Sequence, residues 1–428
     1  MSIVVIGGGI VGLASAWHLR AAGHRELLLL DRAPGPAEGT SFANGALLHP
    51  SSVEPWNSPG ILGALLRQFG RDDAAVRLRA RALPSLIGWG LRFLRESTPA
   101  RFAANARANT ALAVHSMTCL HQMSVGRSTF DHAALGSLMV LRDVAALNAA
   151  RAWAETLESL GVRHRVLDRA ALVSLEPALG PVADHLVGAI HNLDDETGDC
   201  HRFCHGLAHD LQASGVELRW GSEVARIEAD REGIRGLRLR DGSRIVTRAL
   251  VLAAGPQSTA LAASLGLQLP VRPAKGYSLT YDLHDAITGA PLPRLPVIDR
   301  ALHVALTPLG DGGARRLRVA GTAEFCGDDL TVAPSRVANL SGLAERLYPQ
   351  VLRQVAAPRV WTGLRPLCAD GRPLIGPTRV PGLWLNTGHG HLGWTVGAAS
   401  GQLLAQRMAG KVPPGLDAAL FDPSRFAL

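Results

Sequence analysis

Gly7, Gly8 and Gly9 are followed by Gly12, so Gly7, Gly9 and Gly12 keep the spacing G-x-G-x-x-G, and Asp31 closes an apolar run further on. In a strand–turn–helix these glycines do separate jobs. The first allows the tight turn, the second lets a pyrophosphate approach bare backbone, and the third lets the helix pack closely on the strand. Phosphate then meets unpaired N–H groups at the positive end of the helix. An acid ending the next strand is placed to accept hydrogen bonds from a ribose. The chemistry is dinucleotide binding, by Ile6, Gly7, Gly8, Gly9, Ile10, Val11, Gly12, Asp31 and Arg32.

The elements that must hold those residues are legible around them. Ile3 to Ile6 is a β-branched run suited to a strand buried on both faces of a parallel sheet. Ala14, Ala16, Trp17 and Leu19 carry a helical pattern, Gly23 stands where a C-terminal cap is expected, and Leu27 to Leu30 makes the second strand. A signal peptide fits poorly, because three glycines break the apolar stretch and no basic segment precedes it.

The 428 residues allow two domains, and 47% hydrophobic with 19% charged residues is a globular composition without a bilayer-spanning run. Five scattered cysteines do not form a disulfide framework, and a reducing cytoplasm is the natural expectation. The net charge of +8 is almost all arginine, Lys275 and Lys411 being the lysines. It leaves nucleic acid, anionic lipid and simple solubility open.

Residues 39–50, GTSFANGALLHP, are too rich in small side chains for an ordinary surface loop and can bring backbone N–H groups to a pyrophosphate. Arg67 to Arg107 reads as helical and basic, with Asp72, Asp73 and Glu96 as its acids and Leu86, Ile87, Trp89, Phe93 and Leu94 among the charges. Such a segment suits an anionic membrane surface, or a pair of amphipathic helices packed on the rest of the protein. Val216–Trp220, Ala225–Ala229 and Gly236–Arg240 read as a meander, and Ile245–Ala254 as a central strand delivering Gly255. Val297–Leu306 reads as one strand, Ser335–Leu347 as a helix and Thr395–Met408 as the closing helix.

Five further motifs, GTSFAN (39–44), DETGDC (195–200), KGYSLT (275–280), WTGLRP (361–366) and NTGHGHLGWT (386–395), are spread in order over the chain. With them the whole sequence resembles the FAD-dependent D-amino-acid oxidase and glycine oxidase superfamily, and within it the small subunit of bacterial D-amino acid dehydrogenases. The resemblance implies an α/β plus α+β protein in which a Rossmann-like FAD-binding domain of the glutathione-reductase type interleaves with an antiparallel-sheet substrate domain. The expected division is 1–55, 196–262 and 360–428 for FAD, and 56–195 and 263–359 for substrate. Noncovalent FAD is expected across the glycine turn, with Ser41, Asn44, Gly45 and Ala46 and with Gly388, Gly390, Leu392, Gly393, Trp394 and Thr395 near the ring. Val224, Ala254 and Gly255 fall near the adenosine half.

By the same resemblance Arg365 matches an arginine that grips the substrate carboxylate, a structural salt bridge being the alternative. A planar guanidinium fork suits that task better than an ammonium. Tyr277 matches a tyrosine over the substrate, a core aromatic being the alternative. The activity implied is hydride transfer from Cα of a D-amino acid to flavin N5, giving a 2-oxo acid and ammonia. Electrons then pass to a quinone or other membrane acceptor, with peripheral contact on the inner face of the cytoplasmic membrane through 67–107. Relatives continue SFAN with a glutamine-containing loop, whereas Leu47 and His49 stand here and join His389 and His391 as candidate pocket residues. That departure keeps cyclic secondary amines of the D-proline or hydroxyproline type open, and a tRNA-modifying flavoenzyme is the other alternative. No nucleic-acid partner is expected, since aromatics are only 5% of the chain and no aromatic-interleaved basic strand occurs. No metal is expected at Cys200, His201, Cys204, His205 and His209 despite their helical spacing, nor a flavin tether at Cys368.

Overall fold

The computed structural model describes residues 2–68, 71, 74–126, 130–283, 289–310, 316–411 and 415–428; Asp72 and Asp73 of the basic segment lie outside the described residues. A six-stranded sheet runs in the order Leu374–Pro377, Leu383–Thr387, Ala249–Leu252, Ile3–Ile6, Leu27–Leu30, Glu217–Arg219. All its pairs are parallel except the first, which is antiparallel. Its central strands are buried on both faces, as a continuous apolar run requires. Ile3 and Val5 pack with the helices Ile10–Ala21, Cys200–Ala213 and Gly393–Met408. Val4 and Ile6 pack toward the meander Val224–Asp230, Gly233–Leu239 and Arg244–Val246. Helices Ile10–Ala21 and Gly393–Met408 approach so closely that a Cβ on Gly401 would lie 2.6 Å from the Ala14 carbonyl carbon.

The second sheet has nine strands. Arg359–Cys368 at the edge, then Val271–Asp282, Arg316–Phe325, Val304–Leu309 and Val297–Asp299 make an antiparallel run, and Val76–Leu78 adds to Arg316–Phe325. Helix Pro334–Glu345 covers a core that includes Leu279, Val304, Val319 and Leu340. A two-stranded pair, Leu47–Leu48 with Glu196–Thr197, joins the loop after the cofactor motif to the DETGDC turn.

Several boundaries differ from the sequence expectation, and tertiary pairing explains each. Glu217–Arg219 leaves the expected meander and lies parallel to Leu27–Leu30. The run 245–254 divides between the meander and the central strand Ala249–Leu252, and 297–306 divides into a hairpin. Val76–Leu78 interrupts the helical reading of 67–107 because Phe325 and its neighbours offer it an edge. Arg359–Cys368 belongs to the nine-stranded sheet, paired with Val271–Asp282 along its length, although most of it falls in the segment expected to serve the cofactor. Among the described residues no helix is long and apolar enough to cross a membrane.

Asp195 ties three of these parts together. Its carboxylate accepts from Ser51 Oγ at 2.6 Å, from the Ser51 N–H at 3.2 Å and from Ser137 Oγ at 2.6 Å. Asp195→Ala is expected to cost about 2–4 kcal/mol, because three buried donors lose their acceptor. Thermal unfolding with and without added cofactor checks this; an unchanged midpoint would show that water replaces the carboxylate.

Candidate active site

A cavity of about 1330 Å³ runs from the glycine turn to the nine-stranded sheet. Gly7 has φ +118°, where a side chain would put Cβ 2.3 Å from the Ala253 carbonyl oxygen. Gly12 packs the helix on the strand, since a Cβ there would lie 1.8 Å from the Gly7 carbonyl oxygen. Helix Ile10–Ala21 has no side-chain cap from Gly9; instead the Ile10 N–H donates to Ser41 Oγ at 3.2 Å. Asp31 accepts from the Gly8 N–H at 2.5 Å and from the Ala33 N–H at 2.7 Å. Its carboxylate is thus turned onto the glycine turn, with lone pairs left for a hydroxyl.

Ile6, Gly7, Gly9, Ile10, Val11, Asp31, Arg32, Ser41, Asn44, Gly45, Val224, Ala254, Gly255, Gly390, Gly393 and Trp394 all line this cavity. Gly8, Gly12, Ala46, Gly388, Leu392 and Thr395 are not on its wall. Gly8 packs against Trp220, Gly388 against Cys368, and Leu392 is in the core. Thr395 Oγ1 accepts from the His49 N–H at 3.3 Å, so it holds the loop that does reach the cavity.

Bare backbone at the turn, free first-turn N–H groups and a neighbouring acid make a donor and acceptor set that fits a dinucleotide. The cavity continues from there past Asn44–Gly45 to Arg365, which leaves room for a ring system beyond the phosphates.

Arg365 sits opposite Ala274 in the strand register. Its guanidinium lies over Gly276, where a Cβ would come 2.4 Å from Cζ, and 5.6 Å above the Trp56 ring. Nη1 donates to the Thr322 carbonyl at 2.9 Å, and no carboxylate pairs with Arg365 among the described residues. Burial pulls its pKa down to about 10, so it stays charged at neutral pH. A half-buried cation facing a cavity, with no counter-ion among the described residues, is a receptor for an anion.

His391 stacks on Trp56 with ring centroids 5.5 Å apart and lies 6.4 Å from His49. Burial lowers His391 to about 3, helped by His49 and Arg365, and burial lowers His49 to about 4. His389, whose Nε2 is 3.0 Å from Ser400 Oγ, is lowered to about 3 by burial. All three, with Leu47, line the cavity as neutral groups. They supply shape and hydrogen bonding without competing for the anion.

Tyr277 is placed differently from the expectation. Its ring borders the cavity, but its hydroxyl donates to Glu324 Oε2 at 2.8 Å, and Lys275 Nζ and Arg79 Nη2 lie 3.1 and 2.9 Å from the same carboxylate. A hydroxyl spent in that cluster is not aimed at a ligand. Trp56, Gly276 and Thr322 were missed by sequence reasoning. The signals available were a lone tryptophan in a proline-rich loop and a glycine inside a strand.

Cys200 and Cys204 face the core while His201 and His205 face outward, so the five-residue spacing divides over two helix faces. His201 and His205 do come within 3.1 Å of each other, beside Glu38. Cys368 is buried against Asp370 and Arg425 and is not on the cavity wall.

The comparisons with known proteins agree over the full length. D-amino acid dehydrogenase of Paramagnetospirillum magneticum is 41% identical over 413 residues, 96% of each chain. D-amino acid dehydrogenase of Dechloromonas aromatica is 37% identical, covering 96% of this chain and 98% of that one. Glycine oxidase from Geobacillus kaustophilus superposes with a TM-score of 0.76 at 21% identity over 99% of this chain and 98% of that one. L-proline dehydrogenase from P. horikoshii superposes at 0.75 and 19% identity, covering 99% and 97%. These last two show a shared fold. The model of the DAO family, described as FAD dependent oxidoreductase, matches residues 2–407, and the chain belongs to that family, an oxidoreductase with FAD as its cofactor.

Proposed function

We propose that this chain oxidatively deaminates D-amino acids to 2-oxo acids and ammonia. The observation that carries the reading is Arg365, a half-buried, desolvated guanidinium on the cavity wall with no carboxylate partner among the described residues. The names of the relatives at 36–41% identity supply the substrate class. Bound along the glycine turn, FAD supplies the two-electron acceptor for the Cα hydride.

The protein's part is binding and orientation. With Nη1 held by Thr322, the remaining N–H groups of Arg365 are free for a carboxylate. A bidentate grip fixes Cα in one place, and orientation of this kind contributes several kcal/mol to a barrier. Neutral His49 and His391 leave the substrate amine its own proton balance. The amine reacts in its neutral form, so no strong protein base is required. The division of labour follows the sheets: 1–55, 196–262 and the chain beyond Cys368 serve the cofactor, and the nine-stranded sheet with Arg359–Cys368 serves the substrate. We assign the electrons to a quinone or other membrane acceptor, reached by peripheral contact through the basic segment.

Binding of an amine-free carboxylate, followed by flavin absorbance, is expected to hold constant from about pH 5 to about 9. It weakens as pH rises through about 10, where Arg365 loses the charge that binds the anion. The histidines are neutral throughout that window, since their values lie near 3 and 4. A midpoint near 6.5 would assign the anion to a histidine instead.

The deciding experiment is anaerobic bleaching of the holoenzyme by a panel of D- and L-amino acids, D-proline and D-hydroxyprolines, followed by air or a quinone. Bleaching by several neutral D-amino acids supports the proposal, and reoxidation faster by quinone than by air supports the acceptor. Bleaching by cyclic amines alone would narrow the substrate and put Leu47 and His49, both on the cavity wall, at the centre. Bleaching by none of them would sink the amino-acid assignment.

A further inference from the structure

The cavity does not end at Arg365. It continues between the helices Ile61–Gln68 and Leu83–Arg95, where Leu62, Leu65, Leu83, Leu86 and Phe93 line it. The same two helices carry an outward apolar stripe. Leu83, Ile87 and Leu91 recur every four residues along one helix face, and Ile87 and Leu91 are 65% and 67% exposed. Leu66 on the other helix is 68% exposed. Leu62 and Leu83 belong to both sets, lining the cavity while remaining exposed. Leu62 and Leu83 thus join the apolar lining of the cavity to the exposed stripe.

Within the two helices themselves the charged residues, Arg67, Arg92 and Arg95, are all of one sign. In the basic segment Arg79, Arg81 and Arg101 are consumed by Glu324, Asp329 and Glu96. Arg67, Arg92 and Arg95 are exposed and have no carboxylate partner among the described residues. An apolar stripe rimmed by unpaired arginines matches the interface of an anionic bilayer, apolar side inward and guanidinium groups at the headgroups. Ordinary packed amphipathic helices bury their apolar faces; these expose one beside the cavity mouth.

We propose that Ile61–Gln68 and Leu83–Arg95 form a lipid-facing mouth, docked on an anionic membrane, through which a prenyl-tailed quinone brings its head group into the cavity. This rests on the reading above in taking a membrane quinone as acceptor, and adds where it binds and by which route it arrives. The tail stays in the bilayer against Leu62 and Leu83, so the quinone need never cross water. The quinone takes up two electrons and two protons and leaves as the quinol; the electrons originate in the amino acid, and its oxidation to the imine balances them.

The test uses holoenzyme and vesicles of phosphatidylglycerol or phosphatidylcholine, with a long-chain prenyl quinone embedded or a short-chain water-soluble quinone added. Flotation should show binding to the anionic vesicles that falls roughly 100-fold when Arg67, Arg92 and Arg95 are changed together to glutamine. Changing Leu66, Ile87 and Leu91 to serine should likewise release the protein. Both variants should keep bleaching by substrate and turnover with the short-chain quinone, and lose most turnover with the embedded one. Leu62→Trp with Leu83→Trp is expected to narrow the mouth: vesicle binding and bleaching stay, and embedded-quinone turnover drops about tenfold or more. Absence of binding to anionic vesicles, or variants that bind and turn over the embedded quinone as the parent does, would overturn the proposal. Failure of every amino acid to bleach the flavin would overturn the substrate reading instead, and flotation would still report on the surface.

Discussion

Arg365→Ala is expected to lower kcat/KM for a D-amino acid by about 10³-fold, with bound flavin and melting temperature close to those of the parent. The size follows from what the residue does. Removing one partner of a desolvated, hydrogen-bonded ion pair costs about 2–5 kcal/mol, and loss of orientation adds to it. The enzyme without substrate loses little, since among the described residues Arg365 makes one hydrogen bond, to the Thr322 carbonyl, and its own desolvation is unfavourable. Arg365→Lys should recover part of the loss, about tenfold, because an ammonium restores charge but not the planar fork. Gly276→Ala tests the same site from below. Its Cβ would fall 2.4 Å from Arg365 Cζ, so the guanidinium must move while every charge is kept. Steady-state kinetics on the three variants decides the point. Wild-type kcat/KM in Arg365→Ala would return the residue to a structural role and leave the carboxylate receptor unassigned.

Gly12→Ala is expected to yield protein with less than about a tenth of its flavin, or none that is soluble. The contact is between backbone atoms: a Cβ at 1.8 Å from the Gly7 carbonyl oxygen has no flexible neighbour to displace. Overpacking of this kind costs about 1–3 kcal/mol or more, and here it separates helix from strand where the first-turn N–H groups face the cavity. Gly23→Ala is the matched control. Gly23 has φ +97° with nothing within 4 Å of a Cβ, so the cost is backbone strain alone, about 1 kcal/mol, and flavin should be retained. Flavin absorbance per protein, with far-ultraviolet circular dichroism on both variants, separates loss of cofactor from loss of fold. A Gly12→Ala protein with full flavin would show that the turn does not hold the pyrophosphate.

Stretches with local rules were legible in the chain. The strand Ile3–Ile6, the helix from Ile10, the Asp199 cap on the helix Cys200–Ala213 and the closing helix all follow from spacing and capping chemistry that act within a few residues. Boundaries went astray where a neighbouring strand decided the outcome. Residues 217–219 have the alternation of a meander strand, yet Leu27–Leu30 offered a parallel edge first. Within the basic segment, composition could not say which arginines were already paired. Glu324, the partner of Arg79, lies 245 residues away.

The glycine turn, the acid ending the second strand and the motifs that mark the family can be read directly along the chain, because each is a matter of a few consecutive residues. Packing between distant segments leaves Arg365 with no counter-ion among the described residues, spends the Tyr277 hydroxyl on Glu324, and keeps His49 and His391 neutral. It also decided that Leu62 and Leu83 share a cavity with Arg365. Those properties depend on burial and on strand register between distant segments, and the free energy of a charge is set by what surrounds it.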